Sequence, residues 1–171
     1  MRVTNHVRML LLAAWLGVAT YFSTVVAPSA FGVLRSFSLA NASEIAGTIV
    51  TQTLSVVNKS GLLLSLLLLI TGLAVKKYYG RASFVLQNVL LIVVAISTGA
   101  GEWVIAAKMR GLRAAMQGQI DQVPLNDPNR IAFAILHRYS VAALGIAMMA
   151  ALVVILLMIF SPGKGHGTST E

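Results

Sequence analysis

The chain has no cysteine and only five acidic residues among 171 positions. Without cysteine it can form neither a disulfide nor a thiolate metal site. Charged residues make up 11% of it, against about a quarter in soluble domains. That excludes an ordinary soluble surface. Catalytic signatures are absent too: there is no G-x-S-x-G, no H-E-x-x-H and no phosphate-binding glycine loop. Glu102 and His137 could act as an acid/base pair, but nothing supplies a nucleophile or a substrate pocket. No enzyme is expected.

What is present is apolar and basic. Hydrophobic residues reach 57%, and 13 basic against 5 acidic residues leave a net charge of +8. The basic residues flank apolar runs, so anionic lipid headgroups are the expected counter-charge and bound lipid is expected. No nucleic-acid motif accompanies them, and no nucleic-acid partner is expected. The opening "MRVTNHVRMLLLAAWLGVATYFSTVVAPSA" has the basic start, apolar run and small residues of a signal peptide. It is read instead as a first transmembrane helix.

A bilayer core needs about 20 apolar helical residues. Four runs qualify: Val7–Val26, a second ending at Val75, a third from Ala82 to Trp103, and a fourth from Tyr139 to Phe160. Four crossings put both termini on one side, here called side A. Side A carries Arg2, Arg8, Lys76, Lys77, Arg81 and Lys164, and side B carries Arg35, Lys59, Lys108, Arg110, Arg113, Arg130 and Arg138. The totals nearly balance, but the tight loop "KKYYGR" concentrates cations on side A. By the positive-inside rule side A is expected to be cytoplasmic, in a bacterial inner membrane.

Helix signals continue past the membrane on side B. "NASE" at 41–44 resembles a capping box with Asn41 as cap and Glu44 three residues on. From there to Val75 nothing breaks a helix, a length of about 50 Å. Asp127 and Pro128 form a second N-terminal signal, giving a fourth helix from Pro128 to Phe160. Met109, Leu112, Met116 and Ile120 continue the third run at helical spacing. The fold class is therefore all-α, a four-helix transmembrane bundle with helices 2–4 extended beyond the membrane on side B. Pro28 and Gly32 make residues 28–40 a connector after the first helix. Residues 1–160 form one domain, and residues 161–171 a disordered tail.

Charges from three helices converge at one depth. Lys59 lies 17 residues before Lys76, Glu102 lies 21 beyond Arg81, and Arg138 lies 22 before Phe160; these are rises of about 25, 32 and 33 Å. Asn58 and His137 join this polar layer, and Arg35 could join from the connector. A carboxylate at that depth costs several kcal/mol unless paired. Arg138 is expected as the first partner of Glu102, because Arg grips a carboxylate with two hydrogen bonds, and Lys59 as the second. The alternative is that all three snorkel to water and never meet.

His137 could ligate a haem or chlorophyll through its imidazole. His6 lies at the opposite face and His166 in the tail, so a bis-His haem within this chain has no second ligand. The competing reading is a hydrogen-bonded rim histidine. Seven methionines invite copper, but Met148 and Met149 diverge on a helix and no Met cluster is paired with His. Ala143, Ala147 and Ala151, and Ala95 with Gly99, have the spacing for close helix packing in lipid.

Three stretches carry a family resemblance: "WLGVATYFSTVVAPSAF" (15–31), "ANASEIAGTIV" (40–50) and "LHRYS" (136–140). Together they resemble the four-helix membrane family of transmembrane protein 205 and its bacterial relatives, a domain of unknown function. The resemblance runs over residues 8–160. It implies the fold and topology but no reaction. For the animal member it implies links to drug resistance and trafficking, which do not transfer to this chain. In the family an Asn follows the His-Arg-x-Ser step; here "VAALG" follows, so a shared polar site is not implied. The expected role is that of a non-catalytic accessory or scaffold subunit in a larger respiratory or photosynthetic membrane complex. Two other classes stay open. One is a small transporter or efflux component using a Lys59/Glu102/Arg138 layer, and the other a pigment- or haem-binding module through His137.

Overall fold

The four apolar runs become four helical rods, each long enough to cross a bilayer. A computed structural model describes residues 2–37, 41–76, 79–116, 118 and 120–160. The first rod is α1 (Arg2–Tyr21), a π-helical turn (Phe22–Val26) and α2 (Ala27–Ser36). The second is α3 (Ala42–Val75). The third is α4 (Arg81–Gly99), a second π turn (Ala100–Ile105) and α5 (Ala106–Ala115). The fourth is α6 (Pro128–Phe160). Among the described residues there is no strand. The tail at 161–171, expected to be disordered, lies outside the described residues.

The buried residues of each rod recur in steps of three and four. On the first rod they are Arg8, Leu12, Trp15, Ala19 and Phe22; on α4 they are Gln87, Leu91, Val94 and Thr98. On α6 they are Ser140, Leu144, Ala147, Ala151, Val154 and Met158, with Ala150 buried beside them. This spacing puts one stripe of each helix into a common seam, the geometry of an antiparallel bundle. Accordingly α1 packs on α3, α3 on α4, α4 on α6, and α6 closes the ring on α1. Large apolar side chains such as Leu63, Ile70, Leu73 and Ile96 face outward, as lipid-facing positions should.

One close approach fixes the register of α1 against α3. The Trp15 indole packs against Gly61, where a Cβ would come within 2.7 Å of the ring. Its Nε1–H donates to the Val57 carbonyl at 3.0 Å. Only glycine leaves room for that ring.

The connector expected at residues 28–40 is a helix as far as Ser36. The π turn explains why Pro28 does not break it. The Ala27 N–H reaches back five residues to the Phe22 carbonyl. This wider turn relaxes the backbone just ahead of a proline ring that otherwise clashes with the preceding turn. Gly32 sits with open space around it and does not end the helix. All four rods, not three, therefore extend on side B.

In that extension α2 packs on α3, and α5 packs on α6. The two hairpins are joined by an ion pair between Glu44 and Arg113. The expected capping box does not form, because the Asn41 side chain makes no cap hydrogen bond and Glu44 is committed to Arg113. The Asn41 backbone carbonyl instead accepts the amides of Glu44 and Ile45. The other expected start is present: Asp127 Oδ1 accepts the amides of Asn129 at 2.8 Å and Arg130 at 3.1 Å. The third rod ends at Ala115, where Met116 turns to an extended backbone. Met116 itself is buried.

Candidate functional site

Two polar clusters interrupt the apolar seam, one toward each side. The side B cluster is built on the second π turn. An extra residue in that turn lets both Gly101 and Glu102 face inward, and both are buried. On α3, Ser55, Asn58 and Lys59 are spaced i, i+3, i+4 and share the facing stripe. The Ser55 hydroxyl donates to Glu102 Oε1 at 2.8 Å, and Lys59 Nζ lies 3.3 Å from the same oxygen. Asn58 packs against Gly101, whose absent Cβ would fall 3.1 Å from Asn58 Nδ2.

Of the six residues expected in a polar layer, Asn58, Lys59 and Glu102 come together. The partner expected first, Arg138, does not pair with Glu102; the one expected second, Lys59, does. The reason is helical phase. Ser140 and Leu144 belong to the buried stripe of α6, and two residues before Ser140 the helix has turned by about 200°. Arg138 is exposed, as is His137 beside it. Arg35 is exposed on α2, with its guanidinium 5.8 Å from the centre of the Phe31 ring. Ser55 was not anticipated, although its spacing from Asn58 and Lys59 was readable. Lys59 keeps 58% of its side chain exposed, so this is an ion pair at the edge of the bundle, with a buried acid and a snorkelling base.

The side A cluster was missed. Arg8 is only 4% exposed. Its Nη2 donates to the Leu68 carbonyl at 2.9 Å, beside Gly72, where a Cβ would lie 3.2 Å from that nitrogen and 3.7 Å from Asn88 Oδ1. Arg8 Nε and Nη1 are buried with no hydrogen-bond partner. The Tyr79 hydroxyl donates to Asn5 Oδ1. Burial pushes the Tyr79 phenol above its usual range, opposed more weakly by the positive charge of Arg8 and the contact with Asn5. Nearby, Asn88 Nδ2 donates to the Phe84 carbonyl at 2.7 Å, and Gln87 Nε2 to Ser83 Oγ at 3.3 Å.

Between the clusters the seam is mostly apolar and closed, with Leu12, Leu68, Leu91, Val94 and Val154 almost fully buried and the buried Ser65 and Thr98 hydroxyls donating within their own helices, to the Leu62 and Val94 carbonyls. Among the described residues no three His, Asp or Glu side chains gather as a metal site. His137 faces out of the bundle, so a pigment or haem on it would be held from outside this chain.

No curated protein and no solved structure matches the chain. A family model described as a domain of unknown function, DUF4149, matches residues 10–118. That stretch holds most of the first rod, all of the second and third, and every residue of the side B cluster. Well over half of the sequence is matched, and the chain belongs to the DUF4149 family.

Proposed function

We propose that this protein is a non-catalytic accessory or scaffold subunit that docks on a larger membrane complex through its side B extension. The observation that carries this reading is the apolar surface of that extension. Val33 on α2, Phe37 just beyond it, Ile49 on α3, and Ile131 and Ile135 on α6 are all exposed. They lie beyond the stretch of about 20 residues that each rod needs to cross the bilayer core. Exposed apolar residues outside lipid mark a protein contact where they gather into one patch, and we infer such a patch on this extension. The closed seam supports the same reading, because a bundle filled by Leu and Val offers little room for a substrate. Hosts of the respiratory or photosynthetic kind, a bacterial inner membrane and cytoplasmic termini belong to this proposal. So does kinship with the transmembrane protein 205 family, which rests on "LHRYS" and the two earlier stretches.

The test is the mass of the protein extracted gently from its native membrane. The expected result is a particle much heavier than one 18.1 kDa chain with its micelle. Ile131→Asn with Ile135→Asn should return it to the free size. A wild-type protein that runs alone refutes the proposal. A second reading, a small transporter, is favoured by the Lys59–Glu102 pair at the π turn. It requires substrate-dependent flux in proteoliposomes that Glu102→Gln abolishes; the accessory reading expects none.

A further inference from the structure

The lipid-facing side of the bundle is not smooth. An open groove of about 520 Å³ runs between α4 and α6, with Leu90 and Val93 on one wall and Ala142, Gly145, Met149 and Val153 along the other. Gly145 leaves it open partway along, since a Cβ built there meets nothing within 4 Å. Val153 lies 11 residues beyond Ala142, a rise of about 17 Å. That is close to half of the roughly 30 Å hydrocarbon core. A slot one leaflet tall suits a single acyl chain, whereas a partner's transmembrane helix packs over the full height of the core.

A cation stands at the mouth of the groove. Arg138 lies 4 residues before Ala142 and 7 before Gly145, so it heads the same stripe of α6. It is exposed and forms no ion pair among the described residues. Helical side chains lean toward the helix N-terminus, which for α6 is side B, so the guanidinium leans outward over the groove. Aromatic residues mark the membrane boundary at this level. Tyr21, Trp103 and Tyr139 are exposed on three different rods. They lie 19 residues beyond Arg2, 22 beyond Arg81 and 21 before Phe160, rises of about 29, 33 and 32 Å. Exposed Tyr and Trp at a common depth sit at the headgroups, and Arg138 is the neighbour of Tyr139. We propose that the groove holds one acyl chain of an anionic phospholipid in the side B leaflet, with Arg138 as the residue that binds its phosphate. The guanidinium donates charge-assisted hydrogen bonds to two phosphate oxygens. A lipid of net negative charge is favoured over a zwitterionic one, whose choline cation opposes Arg138.

The experiment places the full-length chain in nanodiscs of equal phosphatidylglycerol and phosphatidylcholine and reads the retained lipid by native mass spectrometry. The wild type should retain phosphatidylglycerol over phosphatidylcholine by roughly fivefold, the effect of one cation near the membrane surface. Arg138→Gln should retain the two alike. Gly145→Leu, whose side chain enters the open groove, should retain less of both. Lys108→Gln removes the same charge from another exposed position on side B and should behave as the wild type. Equal retention of both lipids by the wild type overturns the proposal. So does a preference that survives Arg138→Gln, or one that Lys108→Gln abolishes as fully. Lipid retention unchanged in Gly145→Leu overturns it as well. If Gly145→Leu instead separates a two-chain particle into single chains, the groove belongs to a second copy and the lipid site is refuted.

Discussion

At the scale of single residues, the two clusters differ in how completely their charges are answered. Glu102 is buried and has two donors on one oxygen, Ser55 and Lys59. Lys59→Met leaves the carboxylate with Ser55 alone and should cost about 1–2 kcal/mol, the penalty of a buried charge that has lost its cation. Adding Glu102→Gln should recover part of that loss, since a neutral amide needs no counter-charge. Unfolding curves of the two singles and the double form a cycle; simple additivity would mean the pair is not coupled. Tyr79 gives a separate reading of the other cluster. Its phenol is raised by burial, so it should ionise later than an ordinary tyrosine. Absorbance during an alkaline titration should show a late step that Tyr79→Phe removes. The sign follows for stability: a raised folded pKa leaves Tyr79 without a penalty below its unfolded value, and stability is lost as pH climbs through the folded one. Arg8 was legible in principle. It stands at steps of four and three from Leu12, Trp15, Ala19 and Phe22, so it shares the core stripe. Its place at the edge of the first apolar run makes it look like a flanking charge and masks that phase.

At the scale of elements, small residues and π turns set what the rods can do. Trp15 needs Gly61 beneath it and the Val57 carbonyl beside it. Gly61→Ala should destabilise by about 1–3 kcal/mol through overpacking. Trp15→Phe should cost about 1 kcal/mol for the lost hydrogen bond. Combined, they should cost less than their sum, because the smaller ring yields to the new methyl group; detergent-unfolding midpoints measure this. The long second and fourth rods were readable because nothing interrupts 42–75 and because Asp127–Pro128 is a strong start. The first rod was not, because Pro28 normally ends a helix, and the π turn that accommodates it follows from tertiary packing rather than from local preference. The same limit applies to Glu102. Rise per residue put it level with Lys59, which it meets, but the π turn changes the phase of the rod, so spacing could not choose between Lys59 and Arg138. Glu44 shows the converse: its local role in a capping box yields to a distant arginine across the two hairpins.

At the scale of the whole molecule, the asymmetry between the sides is what a topology experiment can read. Side A carries one short turn, between α3 and α4, with clustered cations, and side B a tall extension carrying Glu44, Asp121 and Asp127, further cations and exposed apolar residues. The proposed orientation places side A in the cytoplasm, since the loop from Lys76 to Arg81 is dense in positive charge and short enough for the positive-inside rule to act. The sequence has no cysteine, so one engineered thiol reports without background. Gly80→Cys lies in the side A turn with open space around it. Leu125→Cys lies in the side B loop, where the native side chain is 79% exposed. In intact cells a membrane-impermeant maleimide should label Leu125→Cys at once and Gly80→Cys only after permeabilisation. The reverse pattern would put the basic turn outside. It would also move the apolar extension, and any complex docked on it, to the cytoplasmic face.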